Sequence, residues 1–344
     1  MDTREPQNLI GQSAVFTEVM DRVSQLAPLN KPVLIIGERG TGKELIADRL
    51  HFLSRRWENP FVKLNCAALT ESLLETELFG HEAGAFTGAA KRRKGRFELA
   101  NHGSLFLDEL ANTPNSIQEK ILRVIEYGEF ERVGSSTTTR TDVRLIGATN
   151  ADLPALVESG KFRADLLDRL AFDVITLPPL RARQQDILPL AEHFAVKMAS
   201  ELEQELFPGF DKTAVASLLE YPWPGNVREL KNVVERAVYR NINPGIAITK
   251  IDFDPFASPW RPLAKAAPTI PNKDTKATNI PASGATLPGA AFNFKQHIQT
   301  TEIELIKAAL KHCKYKQKQT ADYLGMSYHQ LRGYLRKYEL SDNE

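Results

Sequence analysis

Pro32-Val33-Leu34-Ile35-Ile36-Gly37-Glu38-Arg39-Gly40-Thr41-Gly42-Lys43-Glu44 decides the fold of this 344-residue chain. An aliphatic run leads straight into glycines, as a strand buried on both faces does where it leaves a parallel sheet. The spacing is G-x-x-x-x-G-K, that of a phosphate-binding loop. Glycines let backbone N–H groups turn inward around phosphates, the following helix N-terminus adds positive potential, and Lys43 reaches the outer phosphates. Taken alone, the stretch could also be a tight structural turn. Glu44 stands where the general pattern has Ser or Thr for magnesium, which moves the metal onto another carboxylate.

Such a carboxylate follows about 65 residues later. Ser104-Leu105-Phe106-Leu107 is an apolar strand ending in Asp108-Glu109, the Walker B arrangement. Asp108 is the expected Mg2+ ligand and Glu109 the group that polarises the attacking water. Phosphoryl transfer is catalysed largely by positioning and charge stabilisation, so few groups are needed. Further apolar runs cover 61–64, 143–148 and 174–177, with helical patterns over 44–53 and 117–127 among them. Strands alternating with helices predict a wound parallel sheet, an α/β body. Asn65, Thr149 and Asn150 fall at strand ends, where such sheets meet ligand, or are turn residues. Arg163 and Arg169, six residues apart, make surface ion pairs or reach a neighbour's γ-phosphate.

Beyond Asp186 the strand pattern stops. Ile187, Leu190, Ala191, Phe194 and Met198 form a helical stripe, Val215, Leu218 and Leu219 another, and 227–239 a third. Seven of the twenty prolines then fall between Pro255 and Pro288, which reads as an extended linker. The last fifty residues hold nine Lys/Arg against six Asp/Glu and three short helical patterns, over 298–310, 317–324 and 328–338. Ala321 and Gly325 have the spacing of a helix-turn-helix, in which alanine admits a close helix and glycine makes the turn. Tyr328, His329, Gln330, Arg332 and Arg336 then lie on the candidate reading helix. Lys311, Lys314, Lys316 and Lys318 are candidate phosphate contacts.

Composition narrows the classes. Hydrophobic residues at 42% and charged residues at 25% exclude wholesale disorder. A net charge of +1 excludes a polycation, so nucleic-acid binding must be local. Two distant cysteines, Cys66 and Cys313, exclude a disulfide framework. With no long apolar run, a cytoplasmic location is expected.

Four stretches together resemble one family. GERGTGKE (37–44), GAFTGA (84–89), FRADLLDRL (162–170) and WPGNVREL (223–230) are similar to those of bacterial enhancer-binding proteins, the AAA+ activators of sigma-54 RNA polymerase. Glu44 also fits that subgroup. The resemblance implies an AAA+ P-loop NTPase over 1–178, a helical lid over 179–253, a linker over 254–294 and a Fis-type DNA-binding domain over 295–344. It implies ATP and Mg2+ as cofactors, with Gly37, Glu38, Arg39, Gly40, Thr41, Gly42, Lys43 and Glu44 around the nucleotide. Asn65 would be a switch holding Glu109 according to nucleotide state, Thr149 and Asn150 sensor I, Arg228 sensor II, and Arg163 and Arg169 trans-acting fingers in a ring, usually a hexamer.

Gly84, Ala85, Phe86, Thr87, Gly88 and Ala89 would contact sigma-54, with Phe86 at a flexible tip. Gly134–Thr139 would be a companion loop. The expected partners are sigma-54 holoenzyme, enhancer DNA and further copies of the chain. An ATPase that starts near residue 8 implies control in trans by an inhibitor such as phage shock protein A, for which Trp57 is a candidate contact, and a phage-shock or envelope-stress operon as target. A nucleotide-sensing repressor that never hydrolyses and a DNA-tethered helicase or chaperone are the competing classes.

Overall fold

The computed structural model describes residues 9–241, 245–258, 260, 294–313 and 315–338. They form two compact units, divided after Pro262. The expected linker lies almost wholly outside the described residues.

In the first unit, α1 (Ala14–Leu26) starts on Ser13, whose hydroxyl accepts the Phe16 N–H. Strand β1 (Val33–Ile36) passes through the P-loop into α2 (Lys43–Phe52). Strand β2 (Phe61–Asn65) leads to α3 (Glu71–Phe79), then to a two-strand stem of β3 (Gly80–His81) and β4 (Arg93–Lys94), and to α4 (Arg96–Leu99). Strand β5 (Ser104–Asp108) carries the paired acids. Helix α5 (Asn115–Tyr127) runs into the hairpin β6 (Glu129–Glu131) and β7 (Thr138–Arg140). After β8 (Arg144–Thr149) come α6 (Leu153–Glu158), α7 (Ala164–Leu170) and β9 (Val174–Thr176).

The main sheet is parallel throughout, in the order β2-β5-β8-β1-β9. Alternation along each strand sends side chains to opposite layers. Leu34, Leu105, Leu107 and Leu145 pack with Leu74, Leu78 and Ile121. Val33, Ile35, Phe106, Ile146 and Ala148 pack with Val23, Leu26, Ile46 and Leu50. Both faces are covered at β1 and β5, which is why these strands read as apolar runs, while the edge strand β2 is half-buried and carries Lys63.

The lid is α8 (Ile187–Glu201), α9 (Lys212–Glu220) and α10 (Asn226–Arg240) around a fully buried Trp223. Trp223 Nε1 donates to Leu218 O at 2.8 Å, so the one polar atom of the ring is satisfied.

The second unit, taken by itself, comprises α11 (Phe294–His312), α12 (Gln317–Tyr323) and α13 (Tyr328–Lys337). Ile306, Leu310, Ala321, Leu331 and Leu335 form its core. Gly325 turns the chain at φ +67, and Ser327 caps α13. His329, Arg332 and Arg336 are exposed, as a reading helix requires. Gln330 is exposed too. Its side-chain oxygen accepts the Ser327 N–H at 2.9 Å in a capping box, and Tyr328 Oη sits 3.4 Å from Gln317 Oε1. Lys314 lies outside the described residues. Among those described, no helix is long and apolar enough to cross a membrane.

Candidate nucleotide-binding and remodelling site

The P-loop turns on Gly40 at φ +78 and Gly42 at φ +100, and α2 opens at Lys43 with its N–H groups facing the turn. Lys43 is almost fully buried, and its ammonium donates to Gly37 O at 2.9 Å and Glu38 O at 3.3 Å. Burial lowers its proton affinity. Glu109 and Asp108 oppose that, while Arg228 and Arg39 add to it. The lysine and both acids therefore converge at the carboxyl ends of β1 and β5. A glycine-built loop, a buried ammonium and a helix N-terminus fit a nucleotide triphosphate, and Asp108 fits as the holder of its Mg2+.

The acids are held by local geometry. Asn65 and Asp108 are register partners on adjacent strands, and Asn65 Nδ2 donates to Asp108 Oδ2 at 3.0 Å. In this state the Asn65 amide is on Asp108. The parallel register sets Asn65 beside Asp108, while the next residue turns away at φ +53. A glutamate in the left-handed region costs of order 1 kcal/mol, the kind of strain retained at working sites. Asp108 Oδ1 accepts the Glu109 N–H at 3.0 Å and helps hold that turn. Behind them burial pushes the Cys66 thiol up to about 12.

Thr149 is buried at the end of β8, where its carbonyl accepts the Gly37 N–H and its hydroxyl accepts the Ala151 N–H. Neighbouring Asn150 is exposed. Glu44 pairs with Lys63, at 2.9 Å. Glu38 is likewise paired. Arg181 grips its carboxylate with two hydrogen bonds, at 2.6 and 2.9 Å, and Asn226 Nδ2 donates to it at 3.0 Å. These partners hold the Glu38 carboxyl down at about 2. Arg39 and Arg228 are exposed and line a cavity of about 370 Å³ with Glu229, Asn232, Arg236 and Phe253. Arg163 pairs with Asp165 and Arg169 with Glu126, both within the chain.

The GAFTGA loop rises from the β3–β4 stem. Gly84 N–H donates to Ala89 O at 2.8 Å, and Ala89 N–H to Phe86 O at 3.0 Å, which closes the tip. Phe86 is 47% exposed and rests edge-on against His81, with ring centroids 5.0 Å apart. The companion segment is close: a Cβ on Gly134 would lie 2.6 Å from Ala85 Cβ. Arg132 ties the two roots together, paired with Glu98 at 2.8 Å and Glu82 at 3.1 Å.

Family models match this geometry part by part. "Sigma-54 interaction domain" covers residues 9–176, "AAA+ ATPase lid domain" 181–258, and "Bacterial regulatory protein, Fis family" 298–338. The Psp operon transcriptional activator of Escherichia coli is 56% identical over 97% of this chain and 98% of its own length. The chain belongs to the sigma-54 activator family. Regulatory protein AtoC of Escherichia coli is 41% identical over 96% of this chain and 68% of its own. Among solved structures, NtrX from Brucella abortus in complex with ATP is 30% identical, covers 98% of this chain and 70% of that chain, and aligns with a TM-score of 0.66. As a member of the family the chain has the AAA+ fold with a Fis-type DNA-binding module, and the family is one of ATPases.

Three side chains of this activator escaped sequence reasoning. Asn226 lies inside WPGNVREL, yet nothing local ties it to the P-loop. Arg183, buried, donates to Thr41 O at 3.3 Å and lies 4.8 Å over the Phe16 ring. Buried Asp186 accepts the Gln12 and Ser13 N–H groups and the Ser13 hydroxyl, at 2.7–2.8 Å. The only available signal was charge in an otherwise apolar lid start, Leu180-Arg181-Ala182-Arg183.

Proposed function

We propose that this activator hydrolyses ATP as a ring and spends the energy moving Phe86 loops against sigma-54, opening promoter complexes while its tail holds enhancer DNA. The observation that carries the reading is the convergence of Lys43, Asp108 and strained Glu109 in the body that also bears an exposed aromatic on a two-strand stem. Lys43 and the P-loop N–H groups bind and orient the phosphates. Asp108 would hold Mg2+, whose charge would offset the charge developing on the phosphates. Glu109 orients the attacking water and takes its proton.

Arg163 and Arg169 are exposed enough to leave their carboxylate partners for a neighbour's site, so hydrolysis depends on assembly. The tail raises the ring's concentration at the promoter. The division at 178, 253 and 294 is part of this reading, as are a cytoplasmic location and, by likeness to the Escherichia coli relative, a phage-shock operon as target. Trp57, exposed next to exposed Phe52 and Leu53, offers an apolar surface to an inhibitor in trans such as phage shock protein A.

Transcription in vitro from a sigma-54 promoter tests the whole. ATP should give open complexes, and a non-hydrolysable analogue should give none. Equal opening with both would leave the non-hydrolysing reading in place.

A further inference from the structure

Asn226 has no exposed surface and sits at φ +53, a left-handed conformation that asparagine tolerates better than most residues. Every part of its amide is engaged. Nδ2 donates to Glu38 Oε2 and to Arg39 O, each at 3.0 Å, and Oδ1 accepts the Leu180 N–H at 2.8 Å. One side chain thus joins the P-loop, the first turn of the lid and the start of α10. The residue before it comes closer still: a Cβ on Gly40 would lie 2.3 Å from Gly225 O and 3.0 Å from Arg228 Cβ. Glu38 completes the junction through Arg181.

We propose that Asn226, with Glu38 and Arg181, is a clasp between lid and P-loop that positions Arg228 over the bound phosphates. It rests on the reading of Arg228 as a nucleotide-sensing arginine. Arg228 lies two residues into α10, so the place of its guanidinium is set by where the first turn of that helix sits. A helix free to shift by an ångström would misplace it, and misplacement on that scale costs about 10²-fold in rate. Arg228 and Arg39 already act on the Lys43 ammonium, so the arginine is near the loop it would serve.

The clasp works only with a neutral amide. Aspartate in its place would set one carboxylate against another and leave Arg39 O without its donor. Asn226 and Glu38 are therefore positioning residues, acting through Arg228.

Steady-state ATPase assays on the full chain test this. Asn226→Asp should lower kcat/KM about 100-fold, and Arg228→Ala should do the same. The double variant should fall no more than about threefold further, since an arginine already displaced has little left to lose. Glu38→Gln placed on Asn226→Asp restores a donor opposite a carboxylate and should recover at least tenfold. Asn226→Gly keeps the left-handed backbone and removes the amide with its three buried hydrogen bonds, so it should melt lower than the parent yet be folded at assay temperature and reproduce the kinetic defect. Arg228→Ala costing its full factor in the Asn226→Asp background would overturn the clasp. So would normal turnover in Asn226→Gly while Arg228→Ala is impaired. Normal turnover in Arg228→Ala alone would instead remove the sensor reading, and the clasp with it.

Discussion

Two glycine-rich loops in this activator share a backbone conformation but not their surroundings. Gly40 and Gly42 of the P-loop sit at φ +78 and +100, and Gly84 and Gly88 of the GAFTGA loop at +82 and +102. A Cβ on Gly40 would strike Gly225 O at 2.3 Å, whereas one on Gly84 or Gly88 would meet nothing within 4 Å. Lys43 is buried and Phe86 is half exposed. At Gly40 the P-loop is glycine because backbone from the lid leaves no room, whereas at Gly42 the left-handed backbone alone requires it. The GAFTGA loop is glycine because the chain must reverse around an aromatic aimed outward. Gly40 is fixed by the lid packed on it, whereas Gly84 and Gly88 turn in open space.

The largest expected effect separates the chemistry of the two. Glu109→Ala should lower turnover on the order of 10²–10³-fold with nucleotide binding retained, and Lys43→Ala should lose binding as well. Phe86→Ala should keep phosphate release within a few-fold yet form no open complex, read by permanganate footprinting of the promoter. A Phe86→Ala protein that melts the promoter like its parent would erase the distinction.

Next comes the cost of a side chain in each loop. Gly40→Ala adds backbone overlap to left-handed strain and should cost ~3 kcal/mol or more, with loss of nucleotide affinity. Denaturant unfolding and nucleotide titration measure both.

Acid sharpens the contrast on the P-loop side. His51, at the far end of the helix that Lys43 opens, is buried against Ser104 and Phe61. Burial lowers its pKa from 6.5 to about 4. The unfolded chain therefore takes up a proton that the folded chain refuses, so stability falls as pH drops from 6.5 towards 4. The loss should approach about 3 kcal/mol, and His51→Gln should flatten it in melting curves taken across that range. The smallest effect belongs to the open loop: Gly84→Ala carries strain alone and should cost about 1 kcal/mol. A Gly84→Ala penalty equal to that of Gly40→Ala would show that the loop is packed in solution.

The sequence by itself determined the parts whose logic lies in adjacent residues. A strand running into glycines and a lysine, two acids closing an apolar run, small residues around Phe86, and the Ala321–Gly325 turn with its Ser327 cap are all written within a few positions. Periodicity and stereochemistry act at that range, so the α/β body, the helical lid and the DNA-binding helices were legible from the chain alone. Only the tertiary structure decided what distant residues do to one another. The order β2-β5-β8-β1-β9 and its register put Asn65 on Asp108 and not on Glu109. Arg181 and Asn226 paired with Glu38, Lys63 with Glu44, and the Asn226 amide closed on a partner 188 residues earlier in the chain. A side chain's type states what it can bond, but its partner is whichever group the packed core brings within about 3 Å, and no local pattern encodes that distance.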